Sequence, residues 1–152
     1  MRDPRGRIAG MLDRTADRVA QLVKDLSEED VRARPHGLAP VAWQVGHIAT
    51  VDGKAMTRAD LASPIPEAYV PLFDTGTGRE GDYPPLAVLL PLLAVCNAQL
   101  RTLALEGDLD RPIEGVRSYT SAGEALLFLT YHRGYHIGKV TTLRALLGKR
   151  PS

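Results

Sequence analysis

The sequence predicts an all-α protein, a four-helix bundle with a long crossover between its second and third helices. Four segments place their apolar residues at the three-and-four spacing of one helical face. No stretch alternates with the two-residue period of a strand. Between the second and third segments lies ASPIPEAYVPLFDTGTGREGDYPP, rich in proline and glycine and without a period. The length of 152 residues fits a single domain, 1–152, able to bury a core without disulfide staples.

The first segment follows Asp3-Pro4, an N-cap and first-turn pair. Ile8, Met11, Leu12, Val19, Leu22, Val23 and Leu26 form its stripe. LSEEDVRARPHG breaks it, with a short helical turn expected after Ser27. The second segment runs from Pro40 to Leu61 with Val41, Val45, Ile48, Ala55 and Ala59 in line. The irregular stretch after it exceeds the roughly 15 residues usual for a compact loop, so it reads as a surface crossover or as a lid over a site. The third segment starts at Pro84-Pro85 and ends near Glu106. Its stripe is Leu86, Leu89, Leu93, Cys96 and Leu100, and Pro91 is expected to kink or loosen its first turns. GDLDRPIEGVRSYT is the second irregular connection. The fourth segment opens on a capping box, Ser121-Ala-Gly-Glu124, and closes on Gly148 and Pro151. That predicts a helix of roughly 26 residues, or about 39 Å.

Composition excludes several classes of function. The net charge of +1 gives no electrostatic case for a nucleic-acid or membrane partner. Cys96 is the single cysteine, so no intramolecular disulfide and no cysteine-built zinc site is possible. It falls on an apolar stripe and reads as a buried core residue. The longest apolar run, LAVLLPLLAV, is about half of the roughly 18 residues that a membrane span needs. RIAGMLDRTADR is too charged for a signal peptide. These features lead to the expectation of a soluble, cytoplasmic protein.

The chemistry concentrates in YHRGYHIGK, Tyr131–Lys139. Leu129, His132, His136, Val140, Leu143 and Leu147 form one stripe, so both histidines face the core, one turn apart and able to converge on one ion. In PVAWQVGHIAT, His47 sits among apolar neighbours and faces inward from another helix. Three inward histidines from two helices suit a metal in the core. A hydrogen-bonded histidine core without metal is the alternative. His36, in a Pro/Gly loop, is expected to be exposed and idle. Arg133 stands where the HExxH motif of a zinc protease needs glutamate, and no glutamate precedes a histidine by three residues as a di-iron bundle requires. Three imidazoles leave positions open for water or substrate, the mark of catalytic sites, and suit zinc, nickel or iron. No general base is evident beside them. Asp52, five residues after His47, points about 140° away, and Tyr131 and Arg133 are expected on the solvated face. Gly134 and Gly138 form a smooth strip that predicts close approach of a neighbouring helix or of a second subunit.

Trp43-x-x-Gly46-His47-Ile48, His132-x-x-x-His136-Ile137-Gly138 and the tail TLRALLGKRP together resemble the DinB/YfiT-like superfamily over nearly the whole chain. The resemblance implies an up-down-down-up bundle, often dimeric, with a divalent metal on three histidines at one end of the core. These match His47, His132 and His136. The family includes DNA-damage-inducible proteins, metal-dependent hydrolases and thiol S-transferases that use bacillithiol or mycothiol. The expected protein is therefore a homodimer holding zinc or nickel, acting on a small molecule by activating water or a low-molecular-weight thiol. The alternative is a non-catalytic stress-response protein in which the same three-histidine site is structural.

Overall fold

In the computed structural model the described residues are 3–78 and 81–149. Asp3 accepts from the Arg5 N–H and Pro4 supplies the first helical position, so α1 starts where its cap dictates and runs Pro4–Val23. Its stripe is buried at Leu12, Val19, Leu22 and Val23, whereas Met11, one step round the helix from Leu12, is exposed. The turn expected after Ser27 is α2 (Glu28–Arg32), closed by reciprocal bonds between Ser27 and Asp30. A 3-10 turn over Pro35–Gly37 carries His36, exposed as expected and at a φ of 54°.

Helix α3 (Val41–Arg58) starts after Pro40, and every residue from Val41 to Thr50 is buried. The reason is its surroundings: α2, α5, α6 and a short fourth helix, α4 (Tyr69–Leu72), all lie against it. The segment between α3 and the next long helix contains α4, which periodicity did not reveal. It is anchored rather than loose, since Phe73 and Tyr83 are buried and their rings stack at 5.5 Å. Arg79 and Glu80, within that stretch, lie outside the described residues.

Helix α5 (Leu86–Glu106) continues through Pro91, whose ring is on the exposed side. By length and composition α5 is apolar enough to cross a membrane, yet its Leu89, Leu93, Cys96 and Leu100 are buried core residues against α1 and α3. Burial pushes the Cys96 thiol up to about 12, so it stays protonated and unreactive. Helix α6 (Ala122–Leu146) is capped by the Ser121 hydroxyl, which accepts from the Glu124 N–H. The Glu124 carboxylate reaches back one residue further than expected, to the N–H and hydroxyl of Thr120. Gly148 adopts the left-handed conformation (φ 73°) that ends the helix.

Among the described residues the structure is all-helical, six α-helices packed together with one isolated bridge between Pro112 and Ser121. Helices α1 and α3 each pack against both α5 and α6. Two apolar clusters fill the interior, one around Leu22, Ile48, Leu89 and Val140, the other around Leu12, Met56, Leu100 and Leu126. Between them runs a polar layer. Arg133, expected on the solvated face, is fully buried there. It donates to Asp52 at 2.7 Å, to the Leu12 carbonyl and Asn97 at 2.9 Å each, and to the Thr15 hydroxyl at 3.2 Å. The expectation fails because acceptors from three other helices replace the water that a guanidinium otherwise needs. Gly134 and Gly138 are exposed, and a Cβ at either would meet nothing within 4 Å, so among the described residues no neighbouring helix approaches them closely.

Candidate metal centre

Helix α3 presents His47 and α6 presents His132 and His136, and the structure brings the three together. One ring nitrogen from each lies within 4.8 Å of the others. His47 and His136 are buried and His132 is half-buried. His36 is not among them.

The local sequence fixes how each ring is aimed. His47 donates its Nδ1–H to the Phe73 carbonyl at 2.6 Å, which leaves its Nε2 as a lone pair facing the cluster. Gly46 makes that bond possible. A Cβ there would stand 2.1 Å from the Phe73 ring, so only glycine lets the crossover seat Phe73 against α3. Trp43 stacks on the His47 ring at 4.5 Å and 11°, and its indole N–H donates to the Thr77 hydroxyl. On the other side, His136 donates its Nδ1–H to Gln44 Oε1 at 2.6 Å. The Gln44 amide is oriented by its own N–H donation to the Ala39 carbonyl. Gln44 and the Phe73 carbonyl therefore set the tautomers of two of the three histidines. Neither was identified from sequence. Gln44 does stand three residues before His47, on the same buried face, and that spacing was the available signal.

His132 is held differently. Its Nε2 lies 3.1 Å from His47 Nε2, its ring stacks on Phe128 at 5.7 Å, and its buried Nδ1 has no partner among the described residues. Since His47 Nε2 carries no proton, the short contact is a hydrogen bond only if His132 Nε2 donates. When that nitrogen gives its lone pair to an ion instead, the proton moves to Nδ1. The donor set fits a metal. Two nitrogens bound to one tetrahedral ion at about 2.0–2.1 Å stand roughly 3.3 Å apart, close to the 3.1 Å contact between His47 and His132.

Burial lowers the basicity of all three rings. His132 falls to about 4 and His136 to about 3, first through burial and then through neighbouring positive charge. His47 is also lowered by burial, against the upward pull of its bond to Phe73. The rings are neutral at physiological pH, the state that a metal requires. At pH 6 three ordinary imidazoles would give up about two protons to an incoming divalent ion. Here fewer than about one is expected, measured by titration calorimetry in two buffers of different ionisation enthalpy. Release of two or more would contradict the assigned proton states. Without metal, the same depression makes folding less stable as the pH falls below about 6.5, because the unfolded chain then binds protons that the folded one refuses.

The cluster forms the floor of a cleft of about 480 Å³ whose walls include Leu38, Trp43, Tyr131, Tyr135, Lys139 and Leu143. No carboxylate lines it among the described residues, and Asp52 is spent on Arg133.

No curated protein matches the chain. The family comparison does match, over residues 11–140, a span that takes in α3, the crossover and both α6 histidines. The chain belongs to the DinB superfamily.

Proposed function

We propose that the domain is a four-helix bundle of α1, α3, α5 and α6, with the segment between α3 and α5 as its long crossover. It acts as a metal-dependent enzyme on a small electrophile in aqueous solution. His47, His132 and His136 hold a divalent transition metal, zinc or nickel. The observation that carries this reading is the placement of three neutral imidazoles at the floor of an open cleft. When bound, the ion supplies Lewis acidity and lowers the pKa of water or of a low-molecular-weight thiol toward neutrality. The chain's own residues aim the donors through the Phe73 carbonyl and Gln44 and shield one side with Trp43. They leave the opposite side open for substrate. A purely structural ion would be enclosed by four protein ligands, whereas this donor set has three among the described residues and faces a cleft.

Elemental analysis tests the ligand set. Wild-type protein is expected to retain about one ion per chain after dialysis, and His132→Ala close to none, with the fold of the metal-free forms unchanged. Equal retention by the variant removes His132 from the set. If chelation alone unfolds the wild type, the structural role replaces the catalytic one. Thiol-transfer and hydrolysis rates of metal-loaded against chelated protein then decide between the two reactions.

A further inference from the structure

The walls of the cleft are as one-sided in charge as the floor is neutral. Among the described lining residues Lys139 is the only fully charged side chain, and no acid opposes it there. Asp74, next to the lining residue Thr75, is paired with Lys54 at 3.1 Å. Lys139 has no ion pair among the described residues. It is steered instead by an aromatic face, its ammonium standing 5.2 Å from the centre of the Tyr135 ring. Tyr135 in turn meets His136 edge-on at 5.1 Å. The cation is thus two ring contacts from the histidine floor. Trp43, Leu143 and Leu38, the last 45% exposed despite being leucine, give the wall its apolar surface, beside uncharged polar groups such as Thr75 and Tyr131.

A cation beside apolar side chains, with no acid among the described lining residues, is complementary to one kind of small molecule. We propose that the cleft binds small amphipathic anions, with an apolar or aromatic body against Leu38, Trp43 and Leu143 and a carboxylate held by Lys139. This names the substrate class of the proposed metal-dependent reaction and rests on that reading for its catalytic meaning. The binding itself does not need the metal. Lys139 is an anion-selecting residue, not a ligand to the ion.

Trp43 is the sole tryptophan and lines the cleft, so its fluorescence reports occupancy directly. The probes are benzoate and its neutral analogue benzamide, titrated into chelated and into zinc-loaded protein. Wild type is expected to bind benzoate about fivefold or more tightly than benzamide in both forms. Lys139→Gln should bring the two affinities together in the chelated form, Lys139→Arg should keep the preference, and Lys139→Glu should reverse it. The proposal is overturned if wild type binds neither probe, binds them equally, or keeps its preference in Lys139→Gln without metal. A preference that appears only with zinc assigns anion binding to the ion and also overturns it. Failure to load zinc sinks the metal reading alone, since the chelated titration still decides the role of Lys139.

Discussion

Arg133→Met is expected to destabilise the fold by about 3–5 kcal/mol, a drop in Tm of roughly 10 °C or more for a chain of this size. Methionine matches the length of the arginine stem but leaves Asp52, itself fully buried, without its cation. It also frees the Leu12 carbonyl and the Asn97 oxygen, acceptors on α1 and α5. Burial already pushes the Asp52 carboxyl up, and Arg133 is what opposes that push. In the variant the opposition is gone, so the carboxyl rises further and takes up a proton in the folded state at higher pH. The gap between variant and wild type should therefore shrink as the pH is lowered. Asp52→Leu combined with Arg133→Met should recover part of the loss, because removing both charges costs less than stranding one. Denaturant unfolding at two pH values measures all of this. A loss below about 1 kcal/mol would mean that the pair behaves like one on the surface. The polar layer also bears on the site. Arg133 follows His132 directly, and its bonds to α1, α3 and α5 fix the rotation at which α6 turns its two histidines toward His47.

That residue also shows where reading the sequence stops. The histidine stripe was legible because helical spacing is local: Leu129, His136, Val140 and Leu143 are buried as their three-and-four pattern requires, with His132 half-buried among them. The same holds for the Asp3, Ser27 and Ser121 caps, each of which acts within a few residues. Arg133 was misread because what neutralises it is not local. Asp52, Thr15 and Asn97 lie 36 to 118 positions away, and no periodicity connects them. The crossover hid its role for a related reason. What reaches His47 is the backbone carbonyl of Phe73, and a carbonyl carries no residue-type signature. The inward aim of His47 could be inferred from its apolar neighbours, but not what anchors its second nitrogen.

Gly46→Ala is the substitution in which that hidden contact should show most clearly. The new methyl would fall 2.1–2.5 Å from three atoms of the Phe73 ring, which is fully buried and stacked on Tyr83. The ring has no free space to enter, so Phe73 and its carbonyl must move away from α3. Overpacking of this kind costs about 1–3 kcal/mol. A second effect should accompany it. Once the Phe73 carbonyl withdraws, His47 loses the bond that keeps its proton on Nδ1 and its lone pair on Nε2. Losing such an orienting partner typically weakens metal binding by about 10–100-fold. Gln44→Leu makes the matching change at His136, removing the amide oxygen without crowding the core, and should weaken metal binding by about as much with less loss of stability. Adding Phe73→Leu to Gly46→Ala makes room for the methyl. If that double variant regains both stability and zinc affinity in competition with a chromophoric chelator, the glycine serves the site through Phe73. If stability returns while affinity stays low, the position of the carbonyl depends on the aromatic ring itself. If Gly46→Ala binds zinc like wild type, the bond from His47 to Phe73 does not govern the metal and the anchoring role falls to Gln44 alone.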